Sequence, residues 1–100
     1  MSQSMRKLLT VITEAALENV LVKDFETLGI RGYTIMDARG RGSRGTRDAS
    51  WGESGNIHVD IVCDEATAAA IAGHLQSRYY QNYAMILFTS DVAVLRPEKF

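Results

Sequence analysis

Two stretches of helical period, set among segments of strand character, constrain what this chain can fold into more than any other feature of its 100 residues. Leu17, Val20, Leu21, Phe25 and Leu28 recur every three or four positions, and the run stops at Gly29, a suitable C-terminal cap. Ala68, Ile71, Ala72, Leu75 and Tyr79 repeat the pattern behind Asp64, a good N-cap. Strand-like segments lie between and around these helices. "RKLLTVI" (6–12) is an apolar run of strand formers, after which Thr13 and Glu14 suit a helix start. "GYTIMDA" (32–38) alternates with a period near two. "NIHVDIVC" (56–63) puts Ile57, Val59 and Ile61 on one face, with His58 and Asp60 on the other. "NYAMILFTS" (82–90) resumes strand character and "DVAVL" (91–95) extends it, until Pro97 stops regular pairing.

The resulting order, βαββαβ, predicts an α+β, ferredoxin-like fold with right-handed crossovers and both helices on one face of a four-stranded antiparallel sheet. With 46% apolar residues, one proline and no linker, residues 1–100 are expected to form a single domain around one core. Apolar residues fall on both faces of several strands, which implies that the second face is buried too, against other subunits.

A net charge of −1 offers no global attraction to nucleic acid or an anionic membrane. The distribution is uneven. Residues 38–54 carry Arg39, Arg41, Arg44 and Arg47 against Asp48 and Glu53, a local +2 that leaves −3 for the rest. An anionic partner would be met there. Cys63 is the only cysteine, so neither a disulfide framework nor a cysteine pair for zinc is expected, and a cytoplasmic setting fits. The N-terminal apolar stretch of about five residues is too short for a signal sequence or a membrane span.

The segment from about 38 to 54 reads as a loop. Gly40, Gly42 and Gly45 let main-chain amides approach a ligand, and the interleaved arginines add planar, permanently charged forks for phosphate oxygens. Ser43 adds a hydroxyl. "GRGSRGTR" is neither a P-loop nor a Rossmann fingerprint. A solvated surface loop is the alternative, but a structureless loop this long in so small a domain favours function. Trp51 is compatible with either a contact residue or a hydrophobe tucked against the body.

The "GYTIMDARGRGSRGTR" stretch, entered from a βα unit and followed by strand, helix and "YAMILFTSDVAVLRPEKF", resembles the PII-like signalling proteins, in particular the bicarbonate-linked branch of SbtB-type and carboxysome-associated members. The likeness spans nearly the whole chain, and its most specific pieces are the G-x-G-S-R-x-x-R core at Gly40–Arg47 and the "VLRPEKF" ending. The resemblance implies a homotrimer with sheets facing inward and an adenine nucleotide in each cleft between neighbouring subunits. The long loop, the T-loop of that family, would report occupancy to a partner. By the same resemblance Gly42 and Ser43 approach the phosphates, Arg44 and Arg47 neutralise them, and Asp37, Gly40 and Arg41 line the start of the loop. Thr89 and Arg96 serve the neighbouring side of the cleft.

The departures from that family pattern narrow the expectation. The T-loop is short and lacks the tyrosine that some PII proteins uridylylate, and the turn after the second helix is reduced to "YYQNY", without the usual phosphate-binding lysine. AMP and ADP are therefore expected ahead of ATP or cyclic AMP, with bicarbonate as a co-ligand. The tail lacks the paired cysteines of some SbtB-type proteins. A bicarbonate transporter, a carbonic anhydrase or a carboxysome protein is the implied listener. No enzymatic activity, required cofactor, nucleic-acid binding or membrane insertion is expected.

The remaining candidates have plainer readings. His58 and His74 each stand alone and read as surface or packing residues, with no clustered support for a metal. Cys63 reads as a small buried hydrophobe and Asp64 as a helix cap; Tyr79, Tyr80 and Tyr83 read as core and rim, ahead of the alternative that they stack on a base, and Arg6, Lys7, Arg31 and Arg78 as solvated charges. The alternative function, an acylphosphatase-type enzyme, would need a glycine-rich cradle after the first strand, where "TEAAL" stands instead. An RNA-binding sheet would need aromatics on its central strands, and "NIHVDIVC" has none.

Overall fold

The structure, a computed structural model, describes residues 4–42, 45–47 and 55–100. In chain order its elements are β1 (Ser4–Glu14), α1 (Glu18–Thr27), β2 (Thr34–Ala38), β3 (Gly40–Gly42), β4 (Gly45–Arg47), β5 (Asn56–Cys63), α2 (Glu65–Tyr79) and β6 (Ile86–Val94). Four of them form one antiparallel sheet in the order β2-β5-β1-β6, the expected ferredoxin-like arrangement.

Register separates the two faces of this sheet. Residues directly opposite one another share a face, so Ile35, Val59, Val11 and Leu87 make one row, and Ile61 with Leu9 part of the next. These side chains meet Leu17, Leu21 and Phe25 from the first helical segment and Ala68, Ile71, Leu75 and Tyr79 from α2 in a single core. Leu9, Leu21, Phe25, Ile71 and Leu75 are completely buried, each stabilising the fold by roughly 1.5–3 kcal/mol. Val20, placed on the apolar stripe by its spacing, is instead exposed, because the buried positions 17, 21 and 25 follow a strict four-residue step.

The element ends carry local chemistry. β1 runs through Thr13 and Glu14, which pair with Ile57 and Asn56 rather than starting a helix, and a 3-10 turn at Ala15–Leu17 precedes α1. α1 closes in a Schellman motif: Ile30 N–H donates to Phe25 O (2.9 Å), Gly29 N–H to Glu26 O (3.1 Å), and Gly29 takes φ 77°. α2 opens on Asp64, whose Oδ1 accepts from the Thr67 amide at 2.7 Å; that bond holds its carboxyl below the ordinary value. The two strand segments read at 82–90 and 91–95 are one strand, β6, beginning only at Ile86.

Among the described residues no helix lies over the opposite face of the sheet. Its rows read Met36, His58, Ile12, Ile86 and then Thr34, Asp60, Thr10, Phe88. Met36, Ile86 and Phe88 are each 45–51% exposed, an apolar surface of the kind expected from the strand sequences.

Candidate functional site

The glycine-rich segment is not wholly irregular. β3 and β4 pair as an antiparallel ribbon, with Gly40 opposite Arg47, Arg41 opposite Thr46 and Gly42 opposite Gly45, which departs from the reading of 38–54 as a plain loop. The departure has a physical reason: a strand of glycine and arginine lacks the apolar alternation that announces strands, while Gly42 and Gly45 flanking a two-residue tip suit a tight hairpin. Three of the four residues in the ribbon's outer pairs are glycines, so little side-chain bulk shields the main chain there. At Gly40 an added Cβ would meet nothing within 4 Å, and no positive φ is required. Among the described residues nothing demands glycine at that position. Ser43, Arg44 and Trp51 lie outside the described residues, and of Arg41 and Arg47 the strand pairing is what is described.

The ribbon departs from one end of the sheet. Ala38 faces Asn56, which faces Glu14, so Asp37 stands in the last rows of the sheet, in register with Thr13 and exposed on the edge strand, and Gly40, Arg41, Gly42 and Arg47 follow beyond the end of β2. Thr89 and Arg96 are elsewhere. Thr89 lies opposite Leu9 on the other edge strand, roughly 14 Å across and 13 Å along the sheet from Asp37. Arg96 follows Val94, the partner of Ser4, roughly 30 Å along the sheet from the ribbon, with its guanidinium 3.7 Å from Glu98. Within one chain the expected site residues form two separated groups.

Several polar groups near these surfaces carry no sequence motif. At the ribbon end Glu14 accepts from Thr13 Oγ1 (2.8 Å) and from the Ala84 amide (3.4 Å), and Ala15 N–H donates to Gly55 O (2.7 Å). On the uncovered face Asp60 Oδ1 accepts from Thr10 Oγ1 and lies 2.9 Å from His58 Nε2, so His58 is paired rather than alone. Asp24, 7% exposed, accepts the Tyr79 hydroxyl, with His74 Nε2 3.3 Å and Arg78 Nε 3.9 Å from its other oxygen. Burial, then the Asp24 bond, push the Tyr79 phenol above its ordinary range. Lys7 is likewise no isolated charge: its Nζ is 2.5 Å from Asp91. The Thr10–Asp60, Tyr79–Asp24 and Lys7–Asp91 partnerships had no sequence signal because each joins residues distant in sequence, whereas His58 and Asp60 are i, i+2 neighbours on one strand face. A shallow recess lined by Met5, Arg6, Lys7, Glu65 and Asp91 lies at the sheet end remote from the ribbon. Among the described residues no three His, Cys, Asp or Glu side chains gather to hold a metal ion, and no helix is long and apolar enough to cross a membrane.

Comparison with known proteins bears on this geometry. The sequence profile of the nitrogen regulatory protein P-II family matches residues 6–99. A crystal structure described as a PII-like signalling protein, TTHA0516 of Thermus thermophilus, superposes with a TM-score of 0.83 at 40% identity, covering 100% of this chain and 99% of the other. CPII, a nitrogen regulatory PII-like protein of Thiomonas intermedia bound to ADP, AMP and bicarbonate, gives a TM-score of 0.88 at 23% identity over 99% of this chain and 96% of its own. The same protein bound to ADP and bicarbonate gives 0.87 at 24% identity, covering 99% and 97%. At that identity the CPII structures bear on the fold alone.

Proposed function

Because the chain belongs to the nitrogen regulatory protein P-II family, we propose that it is a PII-like regulatory protein, a single domain over residues 1–100, that binds AMP or ADP in clefts between the subunits of a homotrimer and signals occupancy through its T-loop. One observation carries this reading. The residues that the family pattern assigns to the nucleotide divide into a group at the ribbon and a group, Thr89 and Arg96, on the other edge toward the opposite end of the sheet. A ligand touching both needs two copies of the chain. The apolar uncovered face supplies a surface for that association. CPII, with the same fold, holds ADP, AMP and bicarbonate, which supports these as ligands here and favours the bicarbonate-linked, SbtB-like branch.

Arginines crowded on a short ribbon repel one another, so a bound phosphate group stabilises an arrangement the empty site does not keep, and a partner distinguishes the two states. In a cytoplasmic role in inorganic-carbon metabolism that partner is a bicarbonate transporter, a carbonic anhydrase or a carboxysome protein. The protein itself performs no catalysis. Calorimetric titration with AMP, ADP, ATP and cyclic AMP, with and without bicarbonate, tests the reading. Micromolar binding of AMP or ADP is expected, weakened about tenfold or more in Arg44→Ala or Arg47→Ala, since a charge-assisted hydrogen bond contributes roughly 1.5–3 kcal/mol. Undiminished binding in both variants refutes the residue assignment.

A further inference from the structure

The uncovered face of the sheet carries a hydrogen-bonded polar cluster on its two central strands. His58 Nε2 lies 2.9 Å from Asp60 Oδ1, and the same oxygen accepts from Thr10 Oγ1 at 2.9 Å. On the edge strands the two rows are completed by Met36 and Ile86 and by Thr34 and Phe88, so β2 and β6 bring no titratable side chain into either. The other charged groups on this face stand further along β1. Glu14 is two residues beyond the His58 row and Arg6 four residues beyond the Asp60 row in the opposite direction, roughly 7 and 13 Å away.

In the single chain this pair is partly open: the side chains of His58 and Asp60 are 32% and 29% exposed, and water screens the charge on the carboxylate. A second copy seated on Met36, Ile86 and Phe88 removes that water. A neutral imidazole can still donate its Nε2–H to Asp60, but the carboxylate then enters the interface with its charge uncompensated, at a cost that one hydrogen bond does not offset. A protonated imidazole makes the covered pair neutral as a whole. Closed symmetry repeats this difference once per chain.

We propose that association through this face is proton-linked, each copy taking up one proton at the His58–Asp60 pair when the face is covered. The inference rests on the association reading above. Its sign follows from the ion pair: the contribution to assembly is present while the ring carries its proton and is lost as pH rises through the imidazole titration. Each proton taken up changes the assembly constant by up to about tenfold per pH unit.

Sedimentation equilibrium of the ligand-free full chain tests this, over a dilution series extended with sub-denaturing urea, at about pH 6 and about pH 8. The parent at the higher pH is expected to dissociate at chain concentrations at least about tenfold above those at the lower. His58→Gln, which keeps an amide donor without a titratable charge, is expected to dissociate alike at both, and as readily as the parent does at the higher. Asp60→Asn is expected to be equally insensitive to pH yet to associate more tightly than the parent at the higher one, a gain that a merely structural carboxylate would not give. His74→Gln alters the other histidine, on α2 across the sheet, and is expected to keep the parent's dependence. Equal dissociation of the parent at both pH values, or a dependence that survives in His58→Gln, overturns the proton linkage and leaves the association standing. A parent that is monomeric throughout overturns both.

Discussion

Asp64 was recognisable as a helix cap because the apolar period of α2 begins just after it, and its side chain does accept the Thr67 amide. Asp24 was not recognisable: its neighbours Tyr79, His74 and Arg78 are some fifty residues away, and only helix packing brings the Tyr79 hydroxyl, which donates to it, and the two basic side chains to one buried carboxylate. The Asp64 cap has a pH signature. Its carboxyl is held below the ordinary value, so the stabilisation is fully present above the unfolded-state pKa and is lost as pH falls through the depressed folded one. Thermal unfolding of Asp64→Ala beside the parent should therefore show a lower midpoint at neutral pH. The gap should shrink toward pH 2, and a gap constant with pH would remove the charge from the explanation.

Element boundaries followed the same division. The Gly29 stop and the Asp64 start were legible, whereas the run of β1 through Thr13 and Glu14 was decided by pairing with Ile57 and Asn56, a long-range ladder that local propensity does not encode. Two glycines with open surroundings give opposite predictions. Gly29 adopts φ 77°, so Gly29→Ala should destabilise by about 1–2 kcal/mol through backbone strain alone, an added Cβ meeting nothing within 4 Å. Gly73 lies inside α2 with no such φ and equally open space, so Gly73→Ala should stabilise by about 1 kcal/mol. Denaturant midpoints for the pair check both signs at once.

At the scale of the molecule the uncovered sheet face dominates. Ile86 and Phe88 on the edge strand β6 flank Ile12 and the polar Thr10–Asp60–His58 group on the central strands, and exposed apolar residues of this kind are stabilised when another copy covers them. If copies associate through this face as proposed, Phe88→Glu should lower the sedimentation coefficient to that of the single chain, because a carboxylate there would be buried without a partner. A parent that sediments as a monomer at high concentration refutes the association.

The order of elements, the core-facing strand residues, the cap at Asp64, the stop at Gly29 and the density of arginine near Gly40–Arg47 were determined by sequence alone, since each is a local or periodic property of the chain. The tertiary structure decided which edges carry β2 and β6, the ribbon pairing of β3 with β4, the partners of Asp24, Asp60 and Lys7, and the separation of Thr89 and Arg96 from the ribbon. These depend on register and on contacts between residues far apart in sequence, which no local pattern of side chains encodes.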